Sequence, residues 1–450
     1  MNKSDKLTIR FHEFELEHVN AKDWEIWEAC RFDIYYKIRD QLDGIKTSLP
    51  HNNTPVRKTV KDIINTTGKL FKFIYYSLKN RHGNLMFSMS RFQDDKGVFY
   101  DPALNDIYES FKEKSFVIET AGDRNKRKYP GSSNPLLTIY SKLKKRTESF
   151  PIDLLNELNS HFKVHLNKGN LDDITRRYFN SKDFYLKFFK FFKPESVFIS
   201  QNGPQKGIFR AANQLKIPIF ELQHGIVYFS HLFYSFPKGI NPKQLAIPDY
   251  FLTYSEFWKG KVEGYFPVKE IIVTGNTEAS KSIQADEIYD LCFICCNAFM
   301  PIFIPFIGEL YKHGYKGKIC LKLHPQQSGQ VDTLREIYKN NSLVEVLFVE
   351  KSMKEVIGLS KNFVTIQSTS AYEVLDAGKN LYLLKTLSYD VHDDIFDDER
   401  VCLIENPEDL LSFINKRNKV VEGKKICRFF EPFKTDSLNE IKKRIQGGML

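Results

Sequence analysis

Short runs of β-branched and aromatic residues recur along this chain, each ended by a polar or glycine-bearing stop and followed by a stretch with helical periodicity. In the first half, residues 84–89, 115–120, 196–200, 217–220, 250–253 and 271–274 read as strands. Helices are expected at about 103–112, 136–145, 151–164, 184–192 and 208–215. The second half alternates more clearly. Strands are expected at 288–296, 318–323, 344–349, 363–366 and 381–384, with helices at 300–313, 331–339, 352–359 and 371–377 and Gly378 as a helix stop. Strand, helix, strand repeats imply parallel sheets of the doubly wound α/β class. Two units follow, 1–278 and 286–450, joined by a polar linker. Residues 1–80 form an extension to the first unit: 7–14 reads as a strand and 24–42 as a helix, with Trp27, Cys30, Ile34, Tyr35 and Ile38 about one turn apart.

A chain of 450 residues exceeds what one core usually organises, which agrees with two units. Its 66 Lys and Arg against 56 Asp and Glu give a net charge of +10, favouring anionic partners. Two stretches concentrate that charge among aromatic rings. In 58–83, Lys58, Lys61, Lys69, Lys72, Lys79 and Arg81 interleave with Leu70, Phe71, Phe73, Ile74, Tyr75 and Tyr76; residues 184–192 read FYLKFFKFF. Both suit an anionic membrane surface, but a helix packed on its own domain with a solvated basic face is the preferred reading of each. The seven cysteines follow no framework spacing, so reduced thiols are expected, and Cys292 with Cys295 lacks a second ligand pair for a metal. With no signal-peptide pattern and no apolar run of about 20 residues, the expected location is the cytoplasm, with peripheral contact to the inner face of the membrane. Asp393, Asp394, Asp397 and Asp398 read as an exposed acidic loop.

The candidate chemistry lies where strands stop. Residues 217–225, IPIFELQHG, run from a strand into Gln223, His224 and Gly225. An imidazole at the C-terminal end of a parallel strand stands where ligands bind in open α/β sheets, and Gly225 is expected to turn the backbone sharply there. A strand-capping His bonded to a backbone carbonyl fits the same residues. In the second unit, His324-Pro325 and Gln367-Ser368-Thr369-Ser370 occupy corresponding positions. Ser368, Thr369 and Ser370 open a helix, so their hydroxyls and the first backbone amides suit a phosphate. An ordinary N-cap by Ser370, with Glu373 completing a capping box, suits the same sequence. Asn202 and Gly203, after the strand at 196–200, and Gly275 and Asn276, after 271–274, are expected to line the cleft. The chain has no Walker lysine loop and no GxGxxG after a strand, which argues against an ATPase or a dehydrogenase.

In this order, the motifs resemble those of the GT-B glycosyltransferase superfamily over residues 84–410, especially enzymes of bacterial surface-polysaccharide synthesis. Bacterial sialyltransferases carry a His-Pro pair and a Ser/Thr motif that contact a CMP-sugar, matched in type and order by His324-Pro325 and Ser368-Thr369. CDP-glycerol and polyol-phosphate transferases share both and add a His-Gly pair, which His224-Gly225 resembles. The resemblance implies two Rossmann-like domains facing a cleft, with His224 as general base and a nucleotide-sugar donor, CMP-activated in the sialyltransferase case. The nucleotide would lie against His324, Pro325, Gln367, Ser368, Thr369, Ser370 and Glu373. The acceptor would be a glycan or lipid-linked glycan, and neither a metal nor a nucleic acid is expected. Sialyltransferases place an acidic pair directly before Gly; here Lys96 separates Asp94-Asp95 from Gly97, which leaves Asp95 as a second, weaker candidate base. Three alternatives stay open. One is a CDP-polyol phosphotransferase of teichoic-acid-like polymer synthesis. Another is a sugar-nucleotide epimerase, which shares the Thr274-Gly275-Asn276 type of turn. The last is a non-enzymatic binder of anionic polymers.

Overall fold

The computed structural model describes the chain except residues 1–2, 21, 43–59, 91, 95, 121–125, 201–204, 281–284, 296–298, 387–388, 417–427 and 448–450. Two parallel sheets organise it. In the first, β1 (Asn84–Ser88), β4 (Ser115–Glu119), β5 (Gly131–Ser133), β6 (Ser196–Ile199), β7 (Ile219–Leu222), β8 (Tyr250–Thr253) and β9 (Glu270–Val273) lie in the order β5-β4-β1-β6-β7-β8-β9; β2 (Phe92–Gln93) and β3 (Phe99–Tyr100) form a separate antiparallel pair. The second contains β10 (Tyr289–Ile294), β11 (Ile319–Lys322), β12 (Val344–Leu347), β13 (Ser360–Thr365), β14 (Asn380–Leu384) and β15 (Val401–Ile404), in the order β12-β11-β10-β13-β14-β15. Each sheet starts in its middle, winds outward one way and then the other. The strand order therefore reverses between β1 and β6 and between β10 and β13, and a crevice opens at the C-terminal ends of those strands. The central strands β1, β6 and β7 are buried along their whole length, as helices on both faces require.

The expectation of a strand at 7–14 is wrong. Lys3–His18 is a helix, and its buried Thr8, Phe11, His12, Phe14 and Glu15 fall at spacings of three and four, on one helical face. Phe11 stacks on Trp27 of the helix Trp24–Leu42 at 5.5 Å between ring centroids, and Phe14 meets Phe162 of Ile152–Phe162 at 5.6 Å. Glu15, fully buried, accepts from Trp27 Nε1 at 2.6 Å and from Arg31 Nε at 2.7 Å, while Arg31 also donates to the carbonyls of Leu232 and Ser235. Glu28 accepts from the Ala246 amide at 2.7 Å and lies beside Lys206 and Arg210. The extension is thus built into the first domain and fixes the segment that follows β7. Removing one partner from so buried an ion pair leaves an uncompensated charge, at a cost of about 3–5 kcal/mol.

Residues 428–447 return from the second sheet to the first. Asp376, at the end of the helix Ser370–Asp376, accepts backbone bonds from Arg428, Phe429 and Phe430 at 2.9–3.2 Å. Trp258 Nε1 and Ser255 Oγ donate to the Phe429 carbonyl at 2.8 and 3.0 Å from the first domain. Beyond this crossing, Ile441 and Ile445 of the helix Thr435–Gly447 join the apolar cluster of Met86, Leu104 and Phe198. Two local expectations also change. The loop after β4 contains the edge strand β5, and the helix expected at 184–192 is the last third of the 25-residue helix Lys168–Phe192.

Candidate active site

His224 and Gly225 follow β7 after Gln223, at the C-terminal edge of the first sheet, and His224 is exposed. Gln223 braces this turn from beneath. Its buried side chain donates through Nε2 to the Gly225 carbonyl at 2.9 Å, and its Oε1 accepts the Tyr254 amide at 3.0 Å. Gln223 is therefore a support for the loop rather than a cleft surface. Gly225 does not adopt the positive φ expected of a sharp turn. It lies instead close to the second domain: a Cβ there would stand 3.5 Å from Thr369 Oγ1, an ordinary van der Waals contact. A second bridge lies alongside, where Gln367 Nε2 donates to the Tyr228 hydroxyl at 3.4 Å. Tyr228 in turn hydrogen-bonds Tyr36 of the N-terminal extension.

On the second sheet, β13 ends at Thr365 and residues 366–369 lead into the helix Ser370–Asp376. The capping box expected of Ser370 and Glu373 does not form. Thr369 is already helical (φ −56°, ψ −33°) with no side-chain cap, so Ser370 is the first helical residue and its hydroxyl instead donates to Glu373 Oε1 at 3.4 Å. The amides are largely committed as well. Ser368 N–H donates to His392 Nε2 at 3.2 Å and Ser370 N–H to Ser368 Oγ at 3.2 Å, while those of Ala371 and Tyr372 reach the carbonyls of Ser368 and Thr369. The hydroxyls of Ser368 and Thr369, more than a row of amides, are what this loop offers a ligand.

His392 was not singled out from the sequence; it is buried, and burial lowers its pKa to about 3, keeping the ring neutral so that Nε2 can accept from Ser368. Around it, Tyr372 donates to Asp394 Oδ1 at 2.9 Å, and Lys261 of the first domain pairs with Asp394 Oδ2 at 3.0 Å. Asp398 is held by Arg400. Only Asp393 and Asp397 of the expected acidic loop are exposed; Asp394 and Asp398 are half-buried in these ion pairs. Glu373 has its carboxyl pushed up by burial, against the opposing effects of Lys354 and its Ser370 bond.

His324 follows β11, and its amide donates to Gln327 Oε1 at 2.8 Å. β10 lies between β11 and β13, so His324 and Ser368 end strands two positions apart, about 10 Å at the usual strand spacing. That separation suits a nucleotide lying across the edge rather than one phosphate held from both sides. Gly275 and Asn276, expected in the cleft, are instead pinned to the crossing segment. The Asn276 amide donates to the Glu431 carbonyl at 2.9 Å, and Gly275, at φ +71°, leaves no room for a Cβ against the Pro432 carbonyl. Asp95, Asn202, Gly203 and the side chain of Pro325 lie outside the described residues.

Two features of the first sheet edge escaped the sequence analysis. Asp101, buried at the N-cap of the helix Pro102–Phe111, takes bonds from Ser200 Oγ and the amides of Met89 and Ala103. His231 lies near His224; burial, with the charge of His224 next, lowers its pKa to about 3. The sequence signal for His231 was only its place seven residues after His224, within the aromatic run VYFSHLFYSF.

No family model matches the chain, and no curated protein matches it. Among solved structures, it is similar to the S. aureus MnaA–UDP complex at 12% identity, over 81% of this chain and 97% of that one, with a TM-score of 0.51. UDP-GlcNAc 2-epimerase from Neisseria meningitidis bound to UDP-GlcNAc gives 14% identity, 81% and 100% coverage and a TM-score of 0.48. MurG from Acinetobacter baumannii gives 13%, 82% and 99%, and 0.48. Likeness at this identity is likeness of fold, and with the two strand orders it identifies the architecture: two Rossmann-like domains facing a cleft, the GT-B-like arrangement.

Proposed function

We propose that this chain is a glycosyltransferase that moves a sugar from a nucleotide-sugar donor to a bacterial surface glycan, with His224 as general base. The observation that carries the reading is the approach of the loop after β7 to the loop after β13, with Gly225 against Thr369. On this reading the exposed His224 imidazole serves one wall of the cleft and the Ser368 and Thr369 hydroxyls the other. In the reaction, an acceptor hydroxyl attacks the anomeric carbon, His224 takes its proton, and the bond from that carbon to the nucleotide phosphate breaks. The leaving phosphate gains charge, which the hydroxyls of Ser368 and Thr369 would stabilise without a metal ion, while His324, two strands away, would hold another part of the nucleotide. Glu373 and Ser370 would shape the same wall.

A second reading, an isomerase acting on the sugar nucleotide, uses the same donor wall but needs carboxylates at the first sheet edge. Asp101 stands there, yet its Oδ1 caps a helix and its Oδ2 takes the Met89 amide and the Ser200 hydroxyl, which supports transfer over isomerisation. A thermal-shift screen of CMP, CDP, UDP and GDP tests the donor site, because a ligand of the native state raises stability by mass action. The reading expects one nucleotide to stand out. Incubating the matching nucleotide-sugar without acceptor then separates the two reactions: a transferase leaves the donor's sugar as it was, whereas an isomerase yields an epimer.

A further inference from the structure

Three neighbouring helices of the first domain, Val60–Lys79, Pro135–Leu143 and Lys168–Phe192, carry a surface that the catalytic reading does not use. The first helix buries Phe73 and Ser77, with Phe73 5.3 Å from Phe188 of the third, and turns Phe71, Ile74, Tyr75 and Leu78 outward. Positions 71, 74, 75 and 78 form one stripe at helical spacing, and Phe71 and Leu78 are 68% and 57% exposed. The stripe does not end with its helix. Arg81 donates to the Phe191 carbonyl at 2.9 Å and lies over the Phe191 ring, which is itself 45% exposed. On the second helix Leu143 is 79% exposed, and Lys187 of the third lies 5.1 Å over the ring of Tyr140.

Along the stretches of the first two helices that carry these side chains, the charge has one sign. Residues 67–82 and 135–147 contain no Asp or Glu, and Lys72, Lys79, Arg81, Lys142 and Lys145 are all exposed. Asp183, on the third helix, is engaged by Arg146 at 2.6 Å and Lys144 at 3.3 Å. Exposed aliphatic and aromatic side chains within a mainly cationic border match the two layers of an anionic bilayer surface: acyl chains for the rings and branched carbons, headgroups for the ammonium groups on their flexible stems. A nucleic acid would leave Ile74, Leu78 and Leu143 in water, and a second copy of this face would set like charges together.

We infer that this three-helix face docks the protein on an anionic lipid bilayer. Arg81 and Phe191 lie just before β1 and β6, at the sheet edge opposite the one carrying His224, so docking leaves the cleft open.

The test is co-sedimentation of the full chain with phosphatidylcholine vesicles, with and without phosphatidylglycerol, at low and high salt. Binding should require phosphatidylglycerol and weaken with salt. It should fall by about tenfold or more in Lys72→Glu/Lys79→Glu/Lys145→Glu, and fall also in Phe71→Ser/Leu143→Ser. The charge-matched control Lys243→Glu/Lys316→Glu/Lys442→Glu should bind as wild type. All these positions are exposed, and unchanged nucleotide binding by each variant confirms its fold independently of any lipid result. The inference is overturned if wild type does not bind phosphatidylglycerol vesicles, if the control loses binding as much as the first variant, or if Phe71→Ser/Leu143→Ser dissociates a self-associated species without changing vesicle binding.

Discussion

Gly225 of the first domain lies against Thr369 of the second, with room for a methyl group between them: a Cβ at 225 would stand 3.5 Å from Thr369 Oγ1, an ordinary contact. Because Gly225 is not held at positive φ, Gly225→Ala should shift stability by no more than about 0.5 kcal/mol. Gly225→Phe places a ring where the loops meet and should weaken nucleotide binding while melting near wild type. Wild-type nucleotide affinity in the folded Gly225→Phe variant would mean the loops do not form the site.

His224→Ala should lower turnover on the order of 10²-fold or more with the fold intact, as expected for a lost general base. Steady-state rates with the nucleotide-sugar identified by thermal shift check this. Unchanged turnover in the folded variant removes His224 from the chemistry.

The crossing at 428–434 should prove as important to stability as either sheet. Gly275→Ala combines a left-handed backbone, costing about 1–2 kcal/mol by itself, with overlap on the Pro432 carbonyl. Asp376→Ala strands the buried amides of Phe429 and Phe430. Each should lower the denaturation midpoint by at least about 2 kcal/mol in equivalent free energy. Wild-type midpoints would mean that the crossing is not held this way.

The two sheets were legible because parallel strands buried on both faces announce themselves as apolar runs, as in β8 and β14. The helix Lys3–His18 was not, because Leu7, Ile9 and Phe11 alternate with polar residues over too short a window to separate period 2 from period 3.6. β5 reads GSS and carries no apolar signal at all. In the site, His224, Ser368 and Thr369 could be found as polar stops after strands. Gly275 and Asn276 carry the same signature yet serve the crossing, since sequence spacing says nothing about a segment returning from residue 431. His392 was hidden for a related reason: it acts by accepting the Ser368 amide from a different loop.

Stability should fall as the solution is acidified below about pH 6.5. His12, His231 and His392 each have pKa values lowered to about 3, mainly by burial, so the unfolded chain takes up protons near 6.5 that the folded one refuses. Their contribution is full above 6.5 and is lost as pH drops towards 3. Asp5 and Asp376, raised to about 6 chiefly by burial, act the other way and recover part of the loss between about pH 6 and 4. The net decrease between pH 7 and 5.5 should be on the order of 1–3 kcal/mol by denaturant titration. A flat or rising profile would contradict the burial of these three imidazoles as neutral rings.

Calorimetry of nucleotide binding, comparing wild type with Ser368→Ala/Thr369→Ala, bears most directly on the cleft as a donor site. Contacts to the donor phosphate exist before and during transfer, so their loss should weaken free nucleotide as well as donor. The account predicts that wild type binds at least one of CMP, CDP, UDP and GDP, and that the folded double variant loses about 1.5–3 kcal/mol of that affinity, the range for hydrogen bonds to a charged group. Wild type that binds none of the four, or a double variant that binds as tightly as wild type, would contradict it.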